Sequence, residues 1–111
     1  MVKYVPSRGD IVWLEFDSQK GKEIHKTRPS IVISPQKYNQ KTGMALFMPL
    51  SSQIKTYPFE VVIDFEKIKG AVLCDQIRSL EWQARHAKFI AKLPQKVIEE
   101  IMSKLMVLLV D

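Results

Sequence analysis

The hydrophobic pattern of the chain changes its period once, near Pro94. This change restricts the possible folds more than any other feature of the sequence. Before Pro94, apolar residues come in short runs rich in β-branched side chains, separated by prolines, glycines and polar residues, which is typical of β-strands. After Pro94, apolar residues recur every three or four positions, as on one face of a helix. They are Val97, Ile98, Ile101, Met102, Leu105, Leu108 and Leu109. The pattern predicts short strands followed by one amphipathic helix whose apolar residues pack on them.

The individual runs predict where the strands lie. Residues 10–16 alternate with period two, with Ile11, Trp13 and Glu15 on one face. Residues 44–50 form a nearly continuous apolar run, as in a strand buried on both faces. Further strands are predicted at 29–35, 58–63, 71–77 and, from a weaker pattern, 88–93. Segments 17–27 and 50–57 are predicted loops, and 36–43 is either a short helical turn or a loop.

Length and cysteine content favour one cytoplasmic domain. The 111 residues suffice for a single domain, 1–111, with its own core. The one cysteine, Cys74, cannot form an internal disulfide and lies in an apolar run, so a buried structural thiol in a reducing cytosol is expected. No membrane span or signal-peptide pattern is present. The strands are expected to form a small curled sheet or half-open barrel.

The positive charge is concentrated in one segment. Seventeen lysine and arginine residues against twelve aspartate and glutamate residues give a formal net charge of +5. Residues 18–41 hold six basic residues and one acidic residue, which accounts for the whole excess. Such a segment either favours a polyanionic partner or is a solvated loop that only keeps the protein soluble.

Several kinds of site are not supported by the sequence. The four glycines are too far apart for a phosphate-binding GxGxxG or GxxxxGK loop. The two histidines, His25 and His86, and the single cysteine lack the spacing of a zinc site. No metal and no cofactor are therefore expected.

The remaining polar residues suit a phosphodiester, and most of them lie in two loops. Arg28 precedes Pro29, which favours an extended backbone and fixes the guanidinium at the junction of a loop and a strand. A guanidinium holds a phosphate through two parallel hydrogen bonds. A surface ion pair with Glu23 or Asp17 is the alternative for Arg28. The two loops supply Lys20, Lys22, Glu23, His25, Lys26 and Arg28, and Ser51, Ser52, Gln53, Lys55, Thr56 and Tyr57.

Short motifs along the chain resemble the MazF/PemK family of toxins. Each motif alone is weak, but their order from Tyr4 to the C-terminal helix is specific. The matching segments are YVP at 4–6, GDIVW at 9–13, FD at 16–17, GKE at 21–23, Thr-Arg-Pro at 27–29, ISP at 33–35, YN at 38–39, KTGM at 41–44, YPFEV at 57–61 and DQ at 75–76.

The resemblance implies a fold, an activity and partners. The fold is mainly β, a small SH3-like curled barrel of five to seven strands with an amphipathic C-terminal helix, assembled as a homodimer. The activity is that of a toxin from a toxin–antitoxin system, an mRNA interferase. It cuts single-stranded mRNA at specific sequences without a metal, through attack by the RNA's 2′-hydroxyl, leaving a 2′,3′-cyclic phosphate and a 5′-hydroxyl. The partner is a MazE-like antitoxin whose acidic, disordered tail covers the RNA site.

The resemblance also implies catalytic residues. Arg28 matches the family's catalytic arginine, and Ser51 matches its catalytic threonine and keeps the hydroxyl. Glu23 matches a loop glutamate implicated in activity. The PemK branch relies on an Arg-Cys-Asp-Gln strand and a loop histidine, whereas this chain has leucine at position 73 and Lys22 in place of the histidine. The chain is therefore closer to the MazF branch, and a catalytic role of Asp75 is in doubt.

Arginine stays protonated in proteins, so Arg28 cannot take the proton from the 2′-hydroxyl. Two other residues are candidates for this general base. It is Glu23, the nearest carboxylate to Arg28 in the sequence, or His25, which titrates in the useful range. RNA binding by stacking, charge and base-edge contacts is assigned to Phe16, Lys20, Lys22, His25, Lys26, Ser52, Gln53, Lys55, Tyr57 and Gln76.

The aromatic residues have a second interpretation. Phe16 and Tyr57 could be barrel-core side chains, Trp13 is assigned to the core, and Trp82 to the core or the dimer interface.

Two other functions fit the same fold. A non-catalytic SH3-like module would bind RNA or peptide through the same surface. A gyrase-directed toxin of the CcdB type would act on a protein, but those toxins end in a tryptophan-containing tail. This chain ends Leu109-Val-Asp111, which argues against the gyrase-directed toxin.

Overall fold

A computed structural model of the chain describes residues 3–17, 26–65 and 67–110. The described residues form seven strands and two helices. The strands are β1 (Asp10–Asp17), β2 (Lys26–Val32), β3 (Met44–Ser51), β4 (Glu60–Phe65), β5 (Ile68–Leu73), β6 (Arg78–Glu81) and β7 (Lys88–Lys92). Helix α1 (Gln36–Thr42) lies between β2 and β3 in the chain, and helix α2 (Gln95–Val110) follows β7.

The strands form one antiparallel sheet that curls around β3. Their order is β4-β5-β3-β2-β1-β7, with β6 paired to β3 outside this path. Along one edge β3 pairs with β2, and along the other edge it pairs with β6 at its start and with β5 at its end. Because two strands share one edge of β3, the sheet forms a half-barrel. The predicted mainly β fold class with a C-terminal helix is confirmed.

The hydrophobic core has two parts because several strands bury both faces. In the larger cluster, Ile98, Ile101 and Leu105 of α2 join buried residues of the sheet such as Ile11. The smaller cluster includes Val12, Leu14, Val32 and Phe47. Since Ile11 and Val12 are neighbours and are both fully buried, β1 is not the half-buried strand that its alternating pattern suggested.

Three sequence predictions of burial have clear outcomes. Cys74 is fully buried, as expected, and burial raises the pKa of its thiol to about 11. Trp13 was assigned to the core and is 40% exposed, so that assignment is wrong. Trp82 is partly buried against the smaller core cluster, where its indole N–H donates to the Asn39 carbonyl oxygen at 2.8 Å. Trp82 therefore packs on the core within one chain, and a place in a dimer interface stays a prediction.

Some element boundaries differ from the sequence predictions. Segment 36–43 takes the helical alternative, as α1. Strand β5 begins three residues earlier than predicted and ends at Leu73, so residues 74–77 lie outside it. Strand β4 lies two residues later than predicted, β2 spans Lys26–Val32, and β6 was not predicted at all.

The end of α2 also differs from the sequence prediction. The helix buries Ile98, Ile101 and Leu105 in its first three turns. By contrast, Leu108 and Leu109 are 45% and 69% exposed, although their spacing placed them on the packed face. The helix therefore packs on the core through its first three turns, and its apolar end is exposed in one chain. Neither described helix is long and apolar enough to cross a membrane.

Candidate active site

Two cavities that share lining residues form one groove on the surface of the half-barrel. The first, of about 460 Å³, is called the arginine cavity and is lined by Arg28, Pro29, Pro49, Leu50, Ser51, Ser52, Gln53, Lys69, Leu73 and Gln76. The second, of about 620 Å³, is called the tyrosine cavity and is lined by Ser51, Gln53, Lys55, Thr56, Tyr57, Pro58, Glu60, Leu73, Asp75 and Gln76. The shared residues are Ser51, Gln53, Leu73 and Gln76, so the two cavities adjoin each other.

Arg28 is fixed by the sheet at the wall of the arginine cavity. It lies within β2, where its backbone pairs with Leu14, so it sits inside a strand rather than at the predicted junction. Its side chain is exposed, and no hydrogen bond or ion pair joins it to another residue that the structure describes. An exposed guanidinium in the wall of this cavity can donate to an anion there, whereas the alternative ion pair with Glu23 or Asp17 involves side chains outside the described part of the chain.

Ser51 is held beside Arg28 by the pairing of two strands. It is the last residue of β3, and its backbone pairs with Ala71 of β5. Gly70 permits this pairing, because a Cβ at that position would lie 2.3 Å from the Ser51 carbonyl oxygen. The Ser51 hydroxyl oxygen accepts a hydrogen bond from the Gln53 backbone N–H at 3.1 Å. This bond leaves the hydroxyl proton to donate into the groove.

Residues 52–59 form a loop along the tyrosine cavity and are called the groove loop. Its Tyr57 is 45% exposed, so the alternative interpretation of this ring as a core side chain is wrong. The Tyr57 hydroxyl donates a hydrogen bond to Asp75 at 2.9 Å, and this bond raises the pKa of Tyr57. The ring, whose centroid also lies 5.9 Å from that of Phe59, is thereby held half-exposed at the cavity, and Asp75 is occupied in holding it.

Most of the site residues predicted in the described part of the chain meet in this groove. They are Arg28, Ser51, Ser52, Gln53, Lys55, Tyr57 and Gln76. Lys20, Lys22, Glu23 and His25 lie outside the described residues, as do the side chains of Phe16 and Lys26. The described backbone pairs Asp17 of β1 with Lys26 of β2, so the segment between them joins β1 to the strand that carries Arg28.

Sequence reasoning missed two charged residues of the groove. Lys69 lines the arginine cavity as a second cation, but β5 was predicted to start after it. Glu60 lines the tyrosine cavity and is 8% exposed. The sequence signal that could have indicated Glu60 was its position in the YPFEV motif, although that motif does not assign a role to the residue. Among the described residues, no group of three histidine, cysteine, aspartate or glutamate side chains could hold a metal ion.

Comparison with known proteins agrees with this geometry. Residues 7–109 match the family described as PemK-like, MazF-like toxin of type II toxin–antitoxin system. The endoribonuclease toxin MazF of Escherichia coli strain K12 is 42% identical over 107 residues, covering 96% of both chains. The endoribonuclease PemK of Escherichia coli is 30% identical over 107 residues, covering 92% of this chain and 80% of that protein.

Solved structures give the same result. A MazE–MazF crystal structure from Deinococcus radiodurans superposes with a TM-score of 0.89 at 42% identity, covering 96% of this chain and 97% of that one. The resemblance to the MazF/PemK toxins and the closer similarity to MazF are thus confirmed over nearly the whole chain. The chain therefore belongs to the PemK-like, MazF-like toxins of type II toxin–antitoxin systems and is an endoribonuclease toxin.

Proposed function

We propose that the groove cleaves single-stranded mRNA at specific sequences without a metal ion. The RNA's own 2′-oxygen forms a bond to the neighbouring phosphorus while the bond from phosphorus to the 5′-oxygen breaks. A base takes the 2′-proton and the leaving 5′-oxygen takes up a proton, giving 2′,3′-cyclic phosphate and 5′-hydroxyl ends. The observation that carries this proposal is that Arg28 and Ser51 line the same cavity.

Arg28 and Ser51 are assigned to the charge that develops on phosphorus. The reaction passes through a phosphorane with extra negative charge, and one fixed donor aimed at such charge is commonly worth about 3–4 kcal/mol. Arg28 supplies a permanent cation and Ser51 a hydroxyl donor, both from strands rather than mobile loops. Lys69 lies on the same wall and adds a second positive charge.

The general base is assigned to Glu23, with His25 as the alternative. Both residues lie outside the described part of the chain, in the segment that joins β1 to β2, the strand that carries Arg28. The two carboxylates that line the groove within the described residues, Glu60 and Asp75, already accept hydrogen bonds from the groove loop. Their engagement supports placing the base in segment 18–25.

RNA binding is assigned to the groove loop and to the basic segment beside the groove. Tyr57 would stack on a base, and Lys55 would neutralise a phosphate. Ser52, Gln53 and Gln76 would contact base edges. Phe16, Lys20, Lys22, His25 and Lys26 complete the proposed RNA contacts.

The proposal includes two protein partners. The exposed apolar end of α2 is the surface we assign to a homodimer. Structures of relatives contain MazE with MazF, so we assign a MazE-like antitoxin with an acidic, disordered tail to this toxin. RNA and such a tail would compete for the same positive surface, in a salt-dependent way. Because the substrate is mRNA, the cytoplasm is the proposed location.

The test is cleavage of a long RNA by the purified protein in EDTA. Arg28→Ala is expected to lower the cleavage rate by about a hundredfold or more, because one fixed charged donor is lost from the transition state. Sequencing and chemical analysis of the ends would identify the cut motif and the cyclic phosphates.

The control for this test is Lys37→Ala, which removes a cation from α1, away from both cavities. It is expected to cleave like the parent. Intact RNA with the parent protein would support a non-catalytic binding module instead. A folded Arg28→Ala protein that cleaves at the parental rate would contradict the assigned role of Arg28.

A further inference from the structure

Glu60 is a buried carboxylate in the wall of an RNA groove, where a negative charge is out of place. It is the first residue of β4 and is 8% exposed. A buried charge is costly unless hydrogen bonds or opposite charges offset it, and a polyanion in the groove would increase that cost. The hydrogen-bond partners of the Glu60 carboxylate therefore indicate what its charge stabilises.

The surroundings of Glu60 are backbone N–H groups of the groove loop. Both carboxylate oxygens accept the Lys55 N–H, at 3.2 and 3.3 Å, and one also accepts the Tyr57 N–H at 3.4 Å. The Glu60 N–H donates to the Tyr57 carbonyl oxygen at 3.0 Å. Glu60 thus holds the two residues of the loop that we assign to RNA phosphate and base contacts.

The conformation of the loop explains why a charged anchor is needed. Thr56, between these two residues, has a φ of 54°, a left-handed conformation that is unfavourable for a β-branched residue. Hydrogen bonds to a carboxylate are stronger than those to a neutral oxygen and can offset this cost. Without them the loop would relax, and Lys55 and Tyr57 would lose their fixed places.

We propose that Glu60 is a positioning residue that holds Lys55 and Tyr57 along the tyrosine cavity for the RNA strand beyond the cleaved phosphate. Its effect on RNA binding rests on the proposed function, whereas its effect on the loop does not. The competing role for Glu60 is that of the general base. A base would act on kcat and on the pH profile of cleavage, whereas a positioning residue acts on KM.

The first measurement follows the loop in the free protein. Amide proton shifts of Lys55 and Tyr57 are compared in the parent, Glu60→Gln and Glu60→Ala, together with the rate of tryptic cleavage after Lys55. Both amides are expected to move upfield and the cleavage rate to rise, more in Glu60→Ala than in Glu60→Gln. The control is Asp64→Asn, which removes the same charge from an exposed residue of the same strand and is expected to change neither.

The second measurement is the steady-state cleavage of a short labelled RNA that contains a mapped cut site. Glu60→Ala is expected to raise KM about tenfold and Glu60→Gln about threefold, with kcat and its pH profile close to those of the parent. A lower kcat with loss of the acidic limb of the pH profile would instead identify Glu60 as the base and overturn the proposal.

The two measurements separate this inference from the proposed function. Unchanged amide shifts and proteolysis in Glu60→Ala would overturn the positioning role, whatever the protein does to RNA. If the loop changes as expected but the parent protein leaves RNA intact, the proposed function fails and the anchoring of the loop by Glu60 stands. Glu60→Gln, which keeps the size of the side chain, provides the comparison should Glu60→Ala not fold.

Discussion

At the scale of single residues, the hydrogen bond from Tyr57 to Asp75 gives a measurable pH signature. The carboxylate of Asp75 stabilises the protonated phenol and raises the pKa of Tyr57 above its ordinary value of 10.0. Its contribution to stability is therefore fully present below pH 10 and is lost as the pH rises through the raised pKa. Asp75→Asn removes the charge, so the pKa of Tyr57 is expected to fall towards its ordinary value.

An ultraviolet titration of tyrosinate absorbance checks this prediction, with Tyr57→Phe identifying the signal that belongs to Tyr57. Asp75→Asn is also expected to retain most of the cleavage rate, because Asp75 lines the tyrosine cavity and not the cavity that holds Arg28. An unchanged titration curve would contradict the hydrogen bond, and a loss of cleavage as large as that of Arg28→Ala would make Asp75 catalytic.

At the scale of secondary-structure elements, the contact between β5 and the end of β3 controls the place of Ser51. A methyl group at Gly70 would lie 2.3 Å from the Ser51 carbonyl oxygen, so Gly70→Ala must separate the two strands. We expect a loss of about 1–3 kcal/mol in the free energy of unfolding, as for overpacking elsewhere. Because Ser51 moves with its strand, the cleavage rate is expected to fall about tenfold or more, since a displacement of about 1 Å can cost a hundredfold.

Gly43→Ala is the matched control for this prediction. Gly43 ends α1 with a φ of 74°, but a Cβ there would meet no atom within 4 Å. It is expected to cost stability through backbone strain, about 1 kcal/mol, and to leave cleavage unchanged. Thermal unfolding measures the loss of stability in each variant. Single-turnover cleavage, at a temperature where both variants are folded, measures the displacement of Ser51. Equal cleavage rates in the two variants would show that β5 does not fix Ser51.

The elements also show what the sequence could predict. The apolar runs in β1 and β3 and the helical period of α2 identify these elements, because each is long enough for its pattern to show, although the pattern does not give the burial of β1 or of the end of α2. Strand β6 was missed because only Leu80 of its four residues is buried, which leaves no period to detect. The start of strand β5 was predicted too late in the chain, because glycine usually ends a strand. Gly70 instead lies inside β5, where it permits the close approach of the Ser51 carbonyl oxygen.

The candidate site was predictable only in part, for a similar reason. Family motifs indicated Arg28 and Ser51, and the structure brings both to one cavity. Lys69 and Glu60 enter the groove through strand pairing and through hydrogen bonds to a loop, which no local pattern encodes. Trp13 is 40% exposed although its strand is paired on both sides, so its exposure depends on what covers that face of the sheet, which its own sequence does not encode.

At the scale of the whole molecule, the exposed end of α2 predicts self-association. Met106, Val107, Leu108, Leu109 and Val110 are 45% to 69% exposed, and they continue from the buried part of the helix. An apolar cavity of about 270 Å³ is lined in part by Met102 and Leu105, which precede these residues on the same helix. Contiguous apolar surface of this kind on a small protein marks an interface. The full-length parent is therefore expected to be a dimer at micromolar concentration.

A charge placed in this surface should separate the protomers without unfolding either one. Leu108→Lys is expected to shift the mass measured by light scattering from dimer to monomer, because a lysine ammonium is costly to bury in an apolar interface. Its circular dichroism should match that of the parent, since Leu108 is 45% exposed within one chain. The control Gln95→Lys adds the same charge at the exposed start of the same helix and should leave the dimer intact. A dimer that survives Leu108→Lys would place the association surface elsewhere. A parent protein that is already monomeric would contradict self-association.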